Sequence, residues 1–261
     1  MVENDIILEC KNLTIGYQNK TKKEIITQNI NLQLRTEKLI GLVGVNGVGK
    51  STFLRTITKM QNPLAGDIFV NNLSLNNMSS RVLSQQIASV FTDKLPQSQL
   101  TVYEIIALGR QPYTNWLGKL SPKDIEKVNW AIQQTQIQDI VDKKHNEISD
   151  GQLQKVMIAR ALAQDTSIVV LDEPTTHLDL YHKVSIVKLL KTLAHNTQKC
   201  IVLSTHDVDL AIQMCDDMIV MTPQHIYLDT PKNLIENNIF DTVFPKELIS
   251  FNKRKGKFSF Q

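Results

Sequence analysis

One short glycine-rich segment constrains the fold of this chain more than any other feature. It runs Gly44-Val45-Asn46-Gly47-Val48-Gly49-Lys50-Ser51 and fits the pattern G-x-x-x-x-G-K-[ST]. An apolar strand pattern over residues 39–43 precedes it, and a helix pattern opens at Ser51. Because glycines let such a loop turn tightly, its backbone N–H groups and the helix N-terminus together face an anion.

The side chains of this segment suit the phosphates of a nucleotide. Lys50 supplies a point charge to the β- and γ-phosphates, and the Ser51 hydroxyl is a ligand for Mg²⁺. A glycine-rich turn without chemical meaning is the alternative, and the strand–loop–helix context argues against it. The residues that we expect to bind the phosphates are Gly44, Val45, Asn46, Gly47, Val48, Gly49, Lys50, Ser51 and Thr52.

Two acidic residues follow a second apolar strand pattern. Residues 168–171 are fully apolar, as in a buried parallel strand, and Asp172 and Glu173 come directly after them. Ligands of open α/β sheets bind at the carboxyl ends of strands. We therefore expect Asp172 to hold Mg²⁺ and Glu173 to polarise a water molecule for attack on the γ-phosphate. A plain helix N-cap is the alternative explanation for such a pair.

A histidine follows a third apolar run in the same way. His206 comes two residues after the pattern over residues 201–204, so it approaches the same edge of the sheet. A neutral imidazole N–H can donate to a phosphate oxygen, which predicts a contact with the γ-phosphate. A structural histidine is the alternative.

The spacing of apolar residues predicts an α/β fold with a mostly parallel sheet and an inserted helical subdomain. Strand patterns over the first 90 residues cover 6–13, 30–34, 39–43 and 67–70. Helical patterns follow over 102–108, 128–140 and 153–162. Beyond them we predict strands over 168–171 and 201–203, a helix over 184–193, and a last strand pair over 218–221 and 226–228.

Composition limits the partners and the compartment. The 29 basic and 26 acidic residues are interspersed and leave a net charge of +3, so nothing indicates nucleic acid as a partner. The basic run over residues 252–257 is expected to be a solvated tail. No stretch reaches the roughly 20 apolar residues that cross a bilayer, so any membrane role requires docking onto other subunits. The three cysteines, Cys10, Cys200 and Cys215, are widely spaced. We therefore expect them to be core residues of a protein that works in a reducing cytosol.

In chain order, these motifs resemble those of the ABC-type ATPases over nearly the whole chain. The phosphate loop is followed by Ile148-Ser149-Asp150-Gly151-Gln152, by Asp172-Glu173-Pro174-Thr175, by Leu178-Asp179 and by His206. A phosphate loop alone is shared with kinases and GTPases, whereas the Ser149-x-Gly151-Gln152 element is typical of the ABC family.

The resemblance implies a fold and its cofactors. The fold is α/β, a P-loop NTPase (RecA-like) core with an N-terminal antiparallel β subdomain and an inserted helical subdomain. We expect a single domain, with the core over residues 1–91 and 164–250, the helical subdomain over 92–163 and a tail over 251–261. The implied cofactors are ATP and Mg²⁺.

The resemblance also implies that two copies pair head to tail around ATP. Ser149, Gly151 and Gln152 of one copy then close on the γ-phosphate that Lys50 of the other copy holds, and Asp179 crosses the interface. Lys50, Glu173 and His206 carry the catalysis, with Glu173 as general base. Tyr17 is expected to stack on the adenine, with a core tyrosine as the alternative.

Two positions depart from the family pattern. Where the family usually has a glutamine that touches Mg²⁺ and water, the ungapped register places Thr92, and a shifted loop would bring Gln97 there instead. Asp150 stands where the family commonly has glycine. Because two like charges about 4 Å apart cost on the order of 4 kcal/mol at a dielectric near 20, we expect Asp150 to point away from the nucleotide and to cap a helix.

One segment indicates the class of transporter. Thr101-Val102-Tyr103-Glu104, followed by Ala107-Leu108-Gly109-Arg110-Gln111-Pro112-Tyr113, is similar to ATPases of iron-siderophore, haem and cobalamin importers. It lies where the family's permease docks. Trp116 is a candidate contact with the permease, and Trp130 is expected to be a core residue.

The resemblance implies a peripheral subunit on the cytoplasmic face of the cell membrane. Its partners are permease subunits and, indirectly, a substrate-binding protein. A soluble ABC ATPase, such as one for iron–sulfur cluster assembly, is the main alternative. A second alternative is a subunit that binds ATP without hydrolysing it. This alternative is suggested by Thr92 and Asp150, which depart from the family pattern.

Overall fold

A computed structural model describes the architecture over residues 5–18, 22–91, 99–243, 249–252 and 257–260. The strands are β1 Ile6–Gln18, β2 Lys23–Arg35, β3 Lys38–Val43, β4 Ala65–Val70, β5 Leu73–Ser74, β6 Ile87–Val90, β7 Ile168–Leu171, β8 Cys200–Ser204, β9 Asp217–Met221, β10 Ile226–Asp229, β11 Ile249–Asn252 and β12 Lys257–Phe260. The α-helices are α1 Lys50–Ile57, α2 Ser80–Ser84, α3 Val102–Ala107, α4 Pro122–Thr135, α5 Asp150–Ala163, α6 Leu180–Asn196, α7 Val208–Met214 and α8 Pro231–Glu236.

The central sheet has six strands in the order β10-β9-β3-β8-β7-β6. All neighbours are parallel except β10, which pairs antiparallel to β9. Side chains of β3 alternate between two cores, with Leu39 and Val43 on one face and Ile40 and Leu42 on the other. Because both faces are covered, the strand is apolar from Leu39 to Val43, as the sequence predicts.

An antiparallel sheet of β2-β1-β4-β5 covers one face of the central sheet. Its apolar side chains share a core with α1 and with one face of β3, β7 and β8. β1 and β2 each span 13 residues and extend well beyond the predicted 6–13 and 30–34. Register shifts along their pairing break the alternation of polar and apolar residues, which hid the additional length from the sequence pattern.

Helices α3, α4 and α5 form the insertion between β6 and β7, and they share the second core with the other face of the sheet. Both boundaries of α4 differ from the prediction, and the helix begins at Pro122 rather than at residue 128. The helix predicted over 128–140 ends at Thr135, because Gln136 adopts the left-handed conformation with φ 56°. A separate 3₁₀ turn, Gln138–Ile140, follows it.

Two further predictions concern the cysteines and the end of the chain. Cys10, Cys200 and Cys215 are buried and free, as predicted, and burial raises the pKa of Cys200 and of Cys215 to about 12. The end of the chain, predicted as a solvated tail, contains the antiparallel pair β11–β12. Within the residues that the structure describes, no helix is long and apolar enough to span a membrane.

Candidate functional site

The glycine-rich segment joins the end of β3 to the start of α1. A Cβ on Gly49 would lie 2.4 Å from Cγ2 of Ile26, and one on Gly44 would lie 2.5 Å from the carbonyl oxygen of Met221. Gly49 also has φ 109°, a conformation that side chains disfavour. The loop therefore needs glycine at both positions, and Asn46 and Gly47 are exposed at its tip.

The N-terminus of α1 differs from those of the other α-helices. Gly49 is its N-cap and offers no side-chain hydrogen bond, and the first turn contains no acidic residue. In the part of the chain that the structure describes, every other α-helix has a Ser, Thr or Asp side chain that caps a backbone N–H. The free N–H groups of α1 and its dipole fit a phosphate group.

Lys50 lies inside the loop. Its side chain is buried, and Nζ donates to the carbonyl oxygens of Gly44 at 2.9 Å and Val45 at 3.3 Å. Burial lowers the pKa of Lys50, and the nearby carboxylates of Glu173 and Asp172 oppose that shift.

Asp172 and Glu173 follow β7 at the carboxyl edge of the sheet, as predicted. Ser204, the last residue of the adjacent strand β8, connects them. Its Oγ donates to Oδ1 of Asp172 at 2.6 Å and accepts from the backbone N–H of Glu173 at 2.8 Å. Asp172 is buried, and with the Ser51 hydroxyl it offers the oxygen ligands that Mg²⁺ prefers.

Both carboxylate oxygens of Glu173 have partners. Oε1 contacts Nε2 of His206, and Oε2 accepts from the hydroxyl of Thr176 at 3.1 Å. Glu173 has φ 51°, a conformation that a non-glycine residue adopts only when its surroundings hold it there. The structure thus brings His206 to Glu173 rather than leaving it as an isolated structural histidine. Sequence reasoning missed Ser204 and Thr176, since neither carries a motif of its own.

Tyr17 lies beside the first turn of α1. Its hydroxyl is 2.9 Å from Oγ1 of Thr52, and 47% of the residue is exposed, so it is not a core tyrosine. The ring borders an open groove of about 680 Å³ that Arg55, Gln61 and Asn62 also line. An exposed ring next to the phosphate loop is positioned to stack on a base.

A second cluster surrounds the N-terminus of α5. Ser149 is the N-cap, its Oγ accepts from the backbone N–H of Gln152 at 3.3 Å, and Oε1 of Gln152 accepts from the N–H of Ser149 at 3.0 Å. Asp179 caps α6 and contacts His182, whose ring lies beside Gly151. Among the described residues, no hydrogen bond or ion pair joins this cluster to the one around Lys50. Each chain therefore presents the two sets of residues separately.

The prediction that Asp150 caps a helix is wrong. Ser149, not Asp150, caps the helix, because Ser149 has the extended backbone that an N-cap requires. Asp150 is exposed in the first turn of α5, where its charge suits the helix dipole. Thr92 and Gln97, the candidates for the missing glutamine, lie outside the described residues.

The segment expected to face the permease has a buried part. Gly109 and Arg110 are buried, and a Cβ on Gly109 would lie 2.2 Å from the carbonyl oxygen of Arg160 in α5. Trp130 packs partly buried against the core. Trp116 is 90% exposed, so the outer part of this region remains available to a partner.

The chain belongs to the ABC transporter family. The model of that family matches residues 27–176, a range that contains the phosphate loop, the Ser149 element and the Asp172–Glu173 pair. The petrobactin import ATP-binding protein FpuD of Bacillus anthracis is 34% identical over 92% of this chain and 87% of its own. The achromobactin transport ATP-binding protein CbrD of Dickeya dadantii is 34% identical over 90% of this chain and 86% of its own.

A solved structure extends the comparison to the fold. This chain is similar to a dimeric post-hydrolysis state of an ATP-binding cassette bound to ADP and phosphate, with a TM-score of 0.73 and 26% identity. The match covers 86% of this chain and 99% of that one. The predicted fold class, a P-loop NTPase core with an antiparallel subdomain and a helical insertion, is confirmed.

Proposed function

We propose that this chain is the ATP-hydrolysing subunit of an ABC importer for iron chelates such as siderophores or haem. One observation carries the ATPase part. Lys50, Asp172, Glu173 and His206 follow three adjacent strands, β3, β7 and β8, and meet at one edge of the sheet. Family membership and the relatives named for petrobactin import and achromobactin transport support the importer part.

Different residues of the site have different roles in ATP hydrolysis. The α1 N-terminus and Lys50 bind the phosphates, Tyr17 stacks on the base, and Ser51 and Asp172 hold Mg²⁺, which when bound offsets the negative charge of the phosphates. Glu173 orients a water molecule and accepts its proton. His206 contacts the γ-phosphate and, through Nε2, the carboxylate of Glu173. Thr92 remains a proposed further contact to Mg²⁺ and water.

The active assembly is a head-to-tail dimer of two copies. Each copy presents its Lys50 cluster separately from Ser149, Gly151, Gln152 and Asp179, so a second copy is needed to complete an ATP site. The dimeric cassette among the similar structures supports this arrangement. We place the dimer on the cytoplasmic face of the membrane, bound to permease subunits that receive substrate from a binding protein.

The ATPase proposal is tested on the purified chain. ATP turnover is measured as released phosphate over a series of protein concentrations, with the wild type, Glu173→Gln and the control Glu126→Gln, an exposed glutamate of α4. We expect turnover per chain to rise with protein concentration, Glu173→Gln to abolish it while ATP binding persists, and Glu126→Gln to match the wild type. A chain that binds ATP but never hydrolyses it would instead be a non-hydrolysing subunit.

The importer proposal is tested in cells that lack the gene. Uptake of radioactive iron from a hydroxamate siderophore, of haem and of labelled cobalamin is measured after complementation with the wild type or with Glu173→Gln. Loss of iron-chelate uptake that only the wild type restores supports the proposal. Normal uptake of all three, with defective iron–sulfur enzymes, would favour a cluster-assembly ATPase.

A further inference from the structure

His182 connects two segments of the second cluster. It lies in the first turn of α6, and its backbone N–H donates to Oδ1 of Asp179 at 2.8 Å. Its Nδ1 is 2.9 Å from the same oxygen. The backbone hydrogen bond and the imidazole contact lower the pKa of Asp179. A carboxylate can only accept a hydrogen bond, so Nδ1–H is the donor in this contact. This contact fixes the orientation of the ring.

The other side of the ring covers Gly151. A Cβ on Gly151 would lie 3.0 Å from Cδ2 of His182 and 3.5 Å from both Cγ and Nε2. Gly151 is inside α5, so its backbone conformation is one that any residue adopts. Glycine inside a helix costs roughly 0.5–1 kcal/mol relative to alanine. The imidazole therefore gives a steric reason, within one chain, for the absence of a side chain at this position.

The surface around this contact is open to a second copy. Leu180 is 70% exposed, and Tyr181, 77% exposed, packs edge-on against the ring of His182 with 5.4 Å between ring centroids. Asp179 and Gly151 are the residues that the proposed dimer places against the partner. An exposed aromatic and aliphatic pair beside them is typical of a contact surface.

We propose that His182 is a positioning residue that holds Asp179 and Gly151 of one copy in a fixed relationship, so that Gly151 reaches the partner's ATP as Asp179 crosses the interface. The inference rests on the proposed function, because it concerns how the dimer closes. His182 acts through its neighbours, by a hydrogen bond to Asp179 and by packing on Gly151.

The test is a double-mutant cycle of Gly151→Ala and His182→Ala, read out as kcat and KM for ATP. The added methyl group displaces the ring by a few tenths of an ångström. Because misplacement on the order of 1 Å costs about 100-fold, Gly151→Ala alone is expected to lower kcat by about tenfold. His182→Ala alone is expected to lower kcat by about tenfold with KM unchanged. The double variant is expected to return to within about threefold of His182→Ala, because the two residues are in contact.

A third variant separates the two contacts. His182→Asn keeps a donor near Asp179 and removes the ring over Gly151, so it should retain more activity than His182→Ala and should also relieve Gly151→Ala. His225→Ala, in the turn between β9 and β10, serves as the histidine control and should match the wild type. Thermal unfolding of every variant shows that each is folded.

The outcomes are distinct. A double variant whose loss of kcat is the product of the two single losses, or a His182→Ala variant with wild-type kcat, overturns the inference while wild-type turnover leaves the proposed function intact. A wild type without turnover at any protein concentration overturns both. Binding of a fluorescent ATP analogue by the monomer should be equal in all variants, and a selective loss in His182→Ala would place the residue in nucleotide binding instead.

Discussion

The hydroxyl of Ser204 donates to the carboxylate of Asp172 across two adjacent strands, with 2.6 Å between Oγ and Oδ1. The same oxygen accepts from the backbone N–H of Glu173. Ser204 therefore orients the residue proposed to hold Mg²⁺ and fixes the backbone of the proposed general base. A residue in this position affects metal binding without touching the metal.

Ser204→Ala removes that hydrogen bond, and we expect ATPase activity at limiting Mg²⁺ to fall by about 10- to 100-fold, as other losses beside metal ligands do. Raising Mg²⁺ should recover part of it. Activity is measured as a Mg²⁺ titration at saturating ATP. Ser167→Ala, just before β7 at the opposite end of the sheet, is the control and should leave the titration unchanged. An unaltered titration in Ser204→Ala would show that Asp172 needs no such support.

The sequence predicts the parts of this site that follow strand ends. An apolar run fixes a buried strand, and the polar residue after it must then lie at the sheet edge, which places Asp172, Glu173 and His206. Ser204 gives no such signal, because a hydroxyl at the end of an apolar run is common. The contact of His182 with Gly151 depends on how α6 lies against α5, and local periodicity carries no information on that.

Tyr17 offers a test of base stacking. Tyr17→Ala should lower the affinity for ATP by about three- to tenfold, since aromatic pairs contribute about 0.5–1.5 kcal/mol. Tyr17→Phe keeps the ring and loses only the contact with Thr52, so it should bind nearly as the wild type does. Affinity is measured by calorimetry in the Glu173→Gln background, with Leu73→Ala, an exposed leucine of β5, as control. Equal losses in the Phe and Ala variants would contradict stacking and point to the hydroxyl.

Arg110 and Asp124 form a buried ion pair inside the helical insertion. The Arg110 Nε donates to Oδ1 of Asp124 at 2.8 Å, Nη1 donates to the carbonyl oxygen of Ala163 at 2.7 Å, and the guanidinium lies 3.9 Å from the centroid of Tyr113. Both charged residues are at most 4% exposed. The pair ties the start of α4 to the end of α5, the helix that begins at the Ser149 element.

Arg110→Met should reduce the free energy of unfolding by about 3–5 kcal/mol, because it leaves a buried carboxylate without its partner. Arg110→Lys should also destabilise, since lysine lacks the planar group that binds Asp124 and Ala163 together. Urea unfolding measures the effect. Lys127→Met, which breaks a partly exposed pair with Asp165, should cost only about 0–1 kcal/mol. A double Arg110→Met, Asp124→Leu variant no less stable than the wild type would show that the pair serves orientation rather than stability.

Asp216 makes the stability of the core depend on pH. Burial alone would raise its pKa, but hydrogen bonds from the Leu39 N–H, His195 and Lys191 outweigh burial and hold the pKa below the ordinary value. A carboxyl group with a lowered pKa in the folded state stabilises the protein above its unfolded pKa of about 3.9. That contribution disappears as the pH falls through the folded pKa, so acid removes it and alkali does not.

Asp216→Asn should therefore lower the free energy of unfolding at about pH 7 by about 1–3 kcal/mol, because Lys191 and His195 lose a charged acceptor. The difference between the variant and the wild type should shrink as the pH falls below the unfolded pKa of about 3.9 and through the lower folded pKa, where the wild-type carboxylate becomes protonated. Urea unfolding followed by circular dichroism at a series of pH values measures both curves. Asp142→Asn, at an exposed position, is the matched control and should follow the wild type throughout. A difference that stays constant down to about pH 3 would mean that the hydrogen-bond geometry of Asp216, and not its charge, supports the amino-terminal end of β3.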